Sequence, residues 1–203
     1  MNVPPDTLDI VINFIRTRVS DANSGGVVLG LSGGIDSAVT LSLAVKALGS
    51  DKVTGLVMPF TLTESVDLAT SHAKSLSVDT KLIDISDIVS SYKANSSLFS
   101  EQLSEGNLHS RIRMSLLYGA GFSSNHLVIG TSNKSELLIG YWTKWGDGGT
   151  DFLPIGDLYK TQVFELGIFL GIPSEILVRK PTAELWPDQT DEQEFGFTYE
   201  ELD

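Results

Sequence analysis

A single carboxylate stands among glycines and hydroxyl residues in the segment Ser32–Ser37, which reads SGGIDS. Gly33 and Gly34 are free to adopt positive φ, so that successive backbone N–H groups can converge on an anion. The segment is not a Walker loop, because no lysine follows the glycines. A carboxylate that faces a phosphate repels it unless a divalent cation lies between them. Asp36 therefore predicts a site for both phosphate and Mg²⁺.

The residues on either side of this segment predict the elements that a phosphate site needs. Val27–Leu31 is an apolar run typical of a strand buried on both faces, and from Ser37 an apolar helix continues to Gly49. Phosphate binds well at such a helix N-terminus. The simpler alternative is a glycine-rich turn in which Asp36 and Ser37 only cap the helix. Five fixed positions of SGGxDS between a strand and a helix favour the phosphate site.

A second polar segment, Thr131–Glu136, follows the apolar run His126–Gly130 and reads TSNKSE. The carboxyl ends of parallel strands meet at one edge of a sheet, so this segment is expected beside the phosphate loop. Asp36 and Glu136 would then share the Mg²⁺, with phosphate oxygens and water completing its octahedron. On spacing alone, an equal alternative is that Glu136 is the capping-box partner of Asn133.

Helical and strand patterns alternate along the rest of the chain, beginning with an amphipathic helix over residues 6–20. Strands are predicted at Val27–Leu31, Val53–Met58, Thr80–Ile85 and His126–Gly130. Further helices are predicted from the capping-box spacing of Thr61–Glu64 to Leu76, at Ser86–Tyr92, along Leu108–Leu116, at Lys134–Tyr141 and at Thr161–Leu170, with loops over Asn95–Asn107 and from Lys180. This alternation predicts a doubly wound parallel sheet in a three-layer α/β/α fold, with residues 1–203 forming one domain.

Composition excludes several classes of function. The chain has 203 residues and no cysteine, which excludes disulfides, thiolate metal ligands and thiol nucleophiles. A net charge of −12 with only 14 basic residues argues against a nucleic-acid partner. Neither a signal peptide nor a membrane span is predicted, so we expect a cytoplasmic protein with no membrane partner.

Four motifs carry a resemblance to known enzymes. The loop Gly30–Ser37 resembles the pyrophosphate-binding loop of the N-type ATP pyrophosphatases, which cleave ATP between the α- and β-phosphates and adenylate a substrate. The other three resemble segments of the NAD synthetases, in the same order along the chain. They are Arg111–Met114, Gly130–Gln162 and Lys180–Gly196. The resemblance implies the Rossmann-like fold of the adenine nucleotide alpha hydrolases.

The resemblance also implies roles for individual residues. ATP binding is implied for Gly30, Leu31, Ser32, Gly33, Gly34, Ile35, Asp36, Ser37, Thr131, Lys160 and Thr182. Mg²⁺ binding is implied for Asp36 and Glu136, deamido-NAD binding for Arg111, Lys144 and Asp151, and catalytic roles for Asp36 and Lys160. Two alternatives stay open: Lys160 as a solvated residue at a helix start, and Arg111 paired with a carboxylate of its own helix.

An ammonia-dependent NAD synthetase is the function that this resemblance implies. It would convert deamido-NAD to NAD through an acyl-adenylate, with ATP as co-substrate and release of AMP and pyrophosphate. The alternatives are another ATP pyrophosphatase, either GMP-synthetase-like or sulfur-transferring, and a nucleotide-binding module without turnover. Zero cysteines count against sulfur transfer and against release of ammonia from glutamine by this chain itself.

The sequence also predicts how the chain assembles, and it departs from the pattern of the family in two places. The apolar residues on more than one side of helix 6–20, together with the resemblance, predict a homodimer. His109 occupies a position where the family usually has lysine, which weakens one expected cation of the substrate site. Family members also usually continue beyond Asp203 through another helix to a basic tail.

Overall fold

The computed structural model describes residues 3–186 and 189–203. Its sheet has the strand order β3-β2-β1-β4, with all neighbouring strands parallel. The strands are β1 (Gly26–Gly30), β2 (Val53–Val57), β3 (Asp79–Leu82) and β4 (His126–Val128). The central strand β1 is apolar throughout because helices cover both faces of the sheet.

Helices connect successive strands, as parallel pairing requires. The α-helices of the described residues are α1 (Thr7–Asp21), α2 (Ile35–Leu48), α3 (Glu64–Ser75), α4 (Ser86–Asn95), α5 (Gln102–Ser124), α6 (Lys134–Ile139), α7 (Lys160–Leu170), α8 (Ser174–Leu177), α9 (Asp191–Phe195) and α10 (Tyr199–Leu202). Short 3₁₀ turns lie at Ser50–Lys52, Ser97–Phe99 and Asp147–Gly149. The predicted doubly wound α/β/α fold is confirmed.

Alternate residues of β1 enter two different cores. Val27 and Leu29 pack with buried residues of α1, α2, α7 and α8, whereas Val28 packs on the other face with α4 and α5. Helix α2 lies between the sheet and the helices α1 and α7, so its Val39, Leu41 and other apolar side chains are buried around most of its circumference. This explains why α2 lacks the polar face of a surface helix.

Two local predictions for the segments between β2 and β4 are wrong. The segment Asn95–Asn107 is largely helical rather than a loop, because α5 already begins at Gln102. Helix α3 begins after Thr63 rather than Thr61, and the hydroxyl of Thr63 pairs with Ser65 instead of capping the helix.

The chain beyond Lys180 also differs from the predicted loop, because it contains α9 and α10. Both helices are short, and α10 starts with a capping box between Thr198 and Glu201. Their stability depends on tertiary contacts, which a search for helical periodicity in the sequence does not detect.

Helix α1 exposes only part of the second apolar side that the sequence shows. Ile10 is 58% exposed, whereas Phe14 packs edge-on against Phe152 with ring centroids 5.8 Å apart. Among the described residues, no helix is both long and apolar enough to cross a membrane.

Candidate active site

The loop after β1 is held in shape by its own hydroxyl groups. Ser37 donates from Oγ to the carbonyl of Gly34 over 3.0 Å, and the N–H of Gly34 donates to Oγ of Ser32 over 3.2 Å. Gly33 has φ of +78°, and a Cβ there would lie 2.4 Å from the carbonyl oxygen of Ser65. Only glycine fits this position. The loop therefore presents the free N–H groups of the first turn of α2.

Lys160 joins the two segments in which the sequence predicts site residues. It is the first residue of α7, yet its side chain is only 2% exposed. Its Nζ lies 2.6 Å from Oδ2 of Asp36 and 3.4 Å from Oε1 of Glu136. The alternative of a solvated lysine at a helix start is therefore wrong. The structure brings the two carboxylates together, with an ammonium group between them.

Glu136 forms the capping box that was one of the two roles its spacing allowed. Its Oε2 accepts a hydrogen bond from the N–H of Asn133 over 3.1 Å, and Asn133 Oδ1 accepts from the N–H of Glu136 over 3.0 Å. This is the predicted capping box. The Asn133 amide also donates to Oδ1 of Asp36 over 2.9 Å, so the cap of α6 positions both carboxylates.

The charges of this cluster are not balanced. Asp191 also acts on Lys160, so three buried or half-buried carboxylates surround one ammonium group. Burial raises the pKa of Glu136, and repulsion by Asp36 adds to this effect, while Lys160 opposes it. Burial lowers the pKa of Lys160, but Asp36 and Glu136 raise it more, and the net pKa lies above the usual range. Asp36 and Glu136 offer the cavity hard oxygen donors of the kind that Mg²⁺ prefers, although among the described residues no group of three or more such side chains is arranged to hold a metal ion.

A cavity of about 1180 Å³ opens above this cluster at the carboxyl edge of the sheet. Of the predicted ATP-binding residues, those lining it are Gly30, Leu31, Ser32, Gly34, Ile35, Asp36, Ser37, Thr131, Lys160 and Thr182. Gly33, the remaining loop residue, does not line the cavity and lies close to the backbone of Ser65. A phosphate loop, a buried lysine and two carboxylates thus share one cavity that is large enough for a nucleotide.

Comparison with known proteins identifies the family of this chain. The model of the NAD synthase family matches residues 7–203. The chain belongs to the NAD synthase family. It is therefore a ligase that forms a carbon–nitrogen bond and uses ATP as co-substrate.

Individual relatives are similar over most of their length. The chain is 54% identical to the NH3-dependent NAD+ synthetase of Archaeoglobus fulgidus, covering 95% of this chain and 79% of that protein. It is 46% identical to the protein of that name from Thermococcus sibiricus, covering 95% and 76% of the two chains.

Solved structures of the family give the same result for the fold. The NMN synthetase of Francisella tularensis is 38% identical, with a TM-score of 0.93, and the alignment covers 98% of this chain and 84% of that one. The NH3-dependent NAD synthetase of Campylobacter jejuni is 40% identical, with a TM-score of 0.82 and coverage of 85% and 75%.

In this member of the NAD synthase family, three predicted substrate residues lie outside the lining of the large cavity. Nε of Arg111 donates to the backbone carbonyl of Lys144 over 3.1 Å, rather than pairing with a carboxylate of its own helix. Asp151 accepts the N–H of Val128 over 2.7 Å and the phenol of Tyr118 over 3.1 Å. Arg111, Lys144 and Asp151 thus lie along α5 and the segment that follows α6, and their role toward deamido-NAD stays a prediction.

Two further cavity residues received no role from the sequence. Arg113 lines the cavity, and its Nε donates to the carbonyl of Met58 over 2.9 Å, while burial lowers the pKa of its guanidinium. Asp147 accepts hydrogen bonds from Ser110 and from the N–H of Thr143. Arg113 is two residues from Arg111 and therefore points to a different side of α5, which helical spacing alone would have indicated.

Proposed function

We propose that this NAD synthase converts deamido-NAD to NAD with free ammonia, at the cost of ATP cleaved to AMP and pyrophosphate. The observation that carries the proposal is the placement of Lys160 between Asp36 and Glu136, directly beside the phosphate loop. An acyl-adenylating enzyme must stabilise the negative charge of the departing pyrophosphate, and this chain is otherwise strongly acidic. A buried, fixed ammonium group beside a loop of N–H donors supplies the required charge.

The loop Ser32–Ser37 would bind the phosphates of ATP, with Thr131 and Thr182 lining the same cavity. Asp36 and Glu136 would hold Mg²⁺, since each places carboxylate oxygens at the cavity. When bound, Mg²⁺ would neutralise phosphate charge and orient the oxygens of ATP. Lys160 would contact the β-phosphate side of the bond that breaks.

The reaction requires two displacements. A carboxylate oxygen of deamido-NAD attacks the α-phosphorus, the bond to the bridging oxygen breaks, and pyrophosphate leaves toward the loop and Lys160. Ammonia then attacks the acyl carbon, loses a proton, and displaces AMP. The protein contributes mainly position and charge, because neither step requires a covalent bond to the enzyme.

The two cations and one carboxylate outside the cavity suggest how the dinucleotide is bound. Asp151 accepts a hydrogen bond from Tyr118, which is 40% exposed on α5, and Phe122, one turn further along the same helix, is 92% exposed. We propose that a second copy of the chain covers this face in a homodimer and that deamido-NAD extends toward it. This face, rather than the partly covered α1, has the larger exposed aromatic surface.

One further assignment concerns the chain as a whole. Residues 1–203 are proposed to form one cytoplasmic domain. The support for one domain is the four-stranded sheet of the described residues, whose two cores draw on helices from α1 to α8.

A second candidate substrate is the mononucleotide counterpart, nicotinate mononucleotide. The observation that favours it is the high structural similarity to the NMN synthetase of Francisella tularensis over 98% of this chain. The greater identity to proteins named NAD+ synthetases supports the dinucleotide. Both reactions would use the same phosphate loop and Lys160, and would differ in the contacts made by the far end of the substrate.

The test compares the two acceptors and two nitrogen sources. Purified protein with Mg²⁺ and ATP is given deamido-NAD or nicotinate mononucleotide, each with ammonium chloride or glutamine, and AMP and amide product are quantified. We expect AMP and NAD in equal amounts from deamido-NAD and ammonium, and little product from glutamine. A higher kcat/KM for the mononucleotide would transfer the assignment to NMN synthesis. Pyrophosphate release without either acceptor would contradict both.

A further inference from the structure

The residues 189–203, which include α9 and α10, lie against Lys160 and are here called the C-terminal clamp. The ring centroid of Tyr199 lies 5.0 Å from Nζ of Lys160, within the range of a cation–π interaction. Tyr199 is only 4% exposed, so little water competes for the ammonium group on that side. The clamp thus covers part of the surface of the Lys160 ammonium group.

The phenol of Tyr199 is itself oriented by a buried carboxylate. It donates to Oδ2 of Asp191 over 2.8 Å, and Oδ1 of Asp191 accepts the phenol of Tyr141 over 3.2 Å. Asp191 is 3% exposed and attracts Lys160 electrostatically. The phenol of Tyr199 therefore orients Oδ2, whereas the single proton of Tyr141 is shared with Glu194, which lies closer to that phenol.

The clamp also contacts the backbone at the start of α7. The carboxylate of Asp203 accepts the N–H of Thr161 over 2.8 Å and the hydroxyl of Ser135 over 2.5 Å. Ser135 Oγ in turn accepts the N–H of Lys160 over 2.9 Å. Acidic groups at a helix N-terminus are favourable, so these contacts fix the helical turn from which Lys160 projects.

We propose that Asp191 and Tyr199 are positioning residues that hold the Lys160 ammonium group beside the phosphate loop. The proposal rests on the proposed function for the role of Lys160. A lysine side chain has four rotatable bonds and a point charge, so Asp36 alone does not define where its Nζ lies. Asp36, Asp191 and the ring of Tyr199 contact or attract it from different elements, which restricts it to one place.

The test compares four variants of the full chain. Asp191→Asn removes the charge, Tyr199→Leu removes the ring, and Tyr199→Phe keeps the ring but loses the bond to Asp191. Thr198→Ala is the matched control, because Thr198 is exposed and caps α10 without contact to Lys160. It loosens the same helix, so it reports what structural weakening of the clamp does by itself.

Steady-state kinetics should separate positioning from structure. We expect Asp191→Asn and Tyr199→Leu to lower kcat about tenfold or more while KM for ATP changes by less than about threefold, because the lysine acts on the transition state. Tyr199→Phe should lose less than Tyr199→Leu, and Thr198→Ala should lower the melting temperature with little change in kcat. Equal kcat losses in Thr198→Ala, or normal kcat in both Asp191→Asn and Tyr199→Leu, would overturn the proposal.

A second readout does not depend on turnover. The rate at which an amine-acylating reagent modifies Lys160 is measured by peptide mass spectrometry at a temperature where all variants are folded. Lys160 should be protected in the native chain and in Thr198→Ala, and acylated several-fold faster in Tyr199→Leu. Equal protection in all variants would reject the clamp even if the enzyme makes NAD. An inactive native chain with the expected acylation pattern would reject the proposed function and leave the clamp in place.

Discussion

Nζ of Lys160 lies 2.6 Å from Oδ2 of Asp36, although the two residues are 124 positions apart in the sequence. Asp36 lies in the first turn of α2 and Lys160 begins α7. Their contact connects the N-termini of two helices at the same edge of the sheet. The contact places a cation beside the loop Ser32–Ser37 in a strongly acidic chain, and the proposed function gives that cation its role.

The two carboxylates at this edge are expected to be essential for metal-dependent turnover. Asp36→Asn and Glu136→Gln should each lower Mg²⁺-dependent turnover by about a hundredfold or more, since a bound metal typically supplies several kcal/mol of charge stabilisation. Turnover is measured across a Mg²⁺ titration. Asp157→Asn, which removes only an exposed partner of Lys134, is the control. Near-normal rates at limiting Mg²⁺ would rule out the metal role for that residue.

The ion pair of Lys160 with Asp36 should also stabilise the fold. Replacing the buried Lys160 by methionine leaves Asp36 and Glu136 without their cation, and loss of one partner of a buried pair costs about 3–5 kcal/mol. Denaturant unfolding at neutral pH measures the free energy of unfolding. In an Asp36→Asn background the same replacement should cost less, because one of the orphaned charges is already gone. Equal costs in the two backgrounds would show that the pair contributes nothing specific.

The buried His109 should make stability depend on pH. It is 1% exposed and stacked on Phe60, and burial, with a smaller contribution from Arg113, lowers its pKa from 6.5 to about 4, while Glu105 opposes the shift. Between these pH values the unfolded chain binds more protons than the folded chain, so stability is lost as pH falls from about 6.5 to about 4. Burial also lowers the pKa of His72, which adds to the slope.

Unfolding curves at several pH values measure this effect. His109→Leu should flatten the free energy of unfolding between pH 4 and 6.5, with a difference from the native chain of up to about 3 kcal/mol. His126→Leu is the comparison, and it should also flatten the slope in part, because burial lowers the pKa of His126 as well. A slope that persists unchanged in His109→Leu would mean that its pKa is ordinary in the folded chain.

The exposed aromatic face of α5 should mediate assembly. Phe122→Asp is expected to convert a dimer to a monomer, because it places a charge in an apolar contact, whereas Phe169→Asp on α7 should leave the dimer intact. Multi-angle light scattering at working concentration measures the mass. A monomeric native chain with full activity would contradict the homodimer, as would a Phe122→Asp variant that stays dimeric.

Much of the fold followed from local rules. The apolar run at β1, the glycines after it and the alternation of patterns predicted a parallel sheet with a phosphate loop at its carboxyl edge. The same edge rule predicted that Asp36 and Glu136 would come together, and their contacts with one lysine bear this out. Such rules succeed where a residue's environment is determined by neighbours in sequence or by strand order.

Other features depend on tertiary contacts that leave no local pattern. The sequence prediction placed the start of α5 too late, because its polar first turns include Gly106. This glycine packs so closely that a Cβ there would lie 3.0 Å from Leu185. Glycine in a helix weakens the sequence signal for that helix. Asp191 and Tyr199 lie in helices of five and four residues, too short for periodicity to indicate them or the lysine that they face.

The central claim is that the carboxylate of deamido-NAD attacks the α-phosphorus of ATP beside Lys160 and the phosphate loop. The most direct test uses deamido-NAD with ¹⁸O in its carboxylate, together with ATP, Mg²⁺ and ammonium, followed by mass spectrometry of the products. Transfer of one ¹⁸O atom to AMP, with the second retained in the amide of NAD, is the predicted result. Label in pyrophosphate, or AMP without label, would contradict the account.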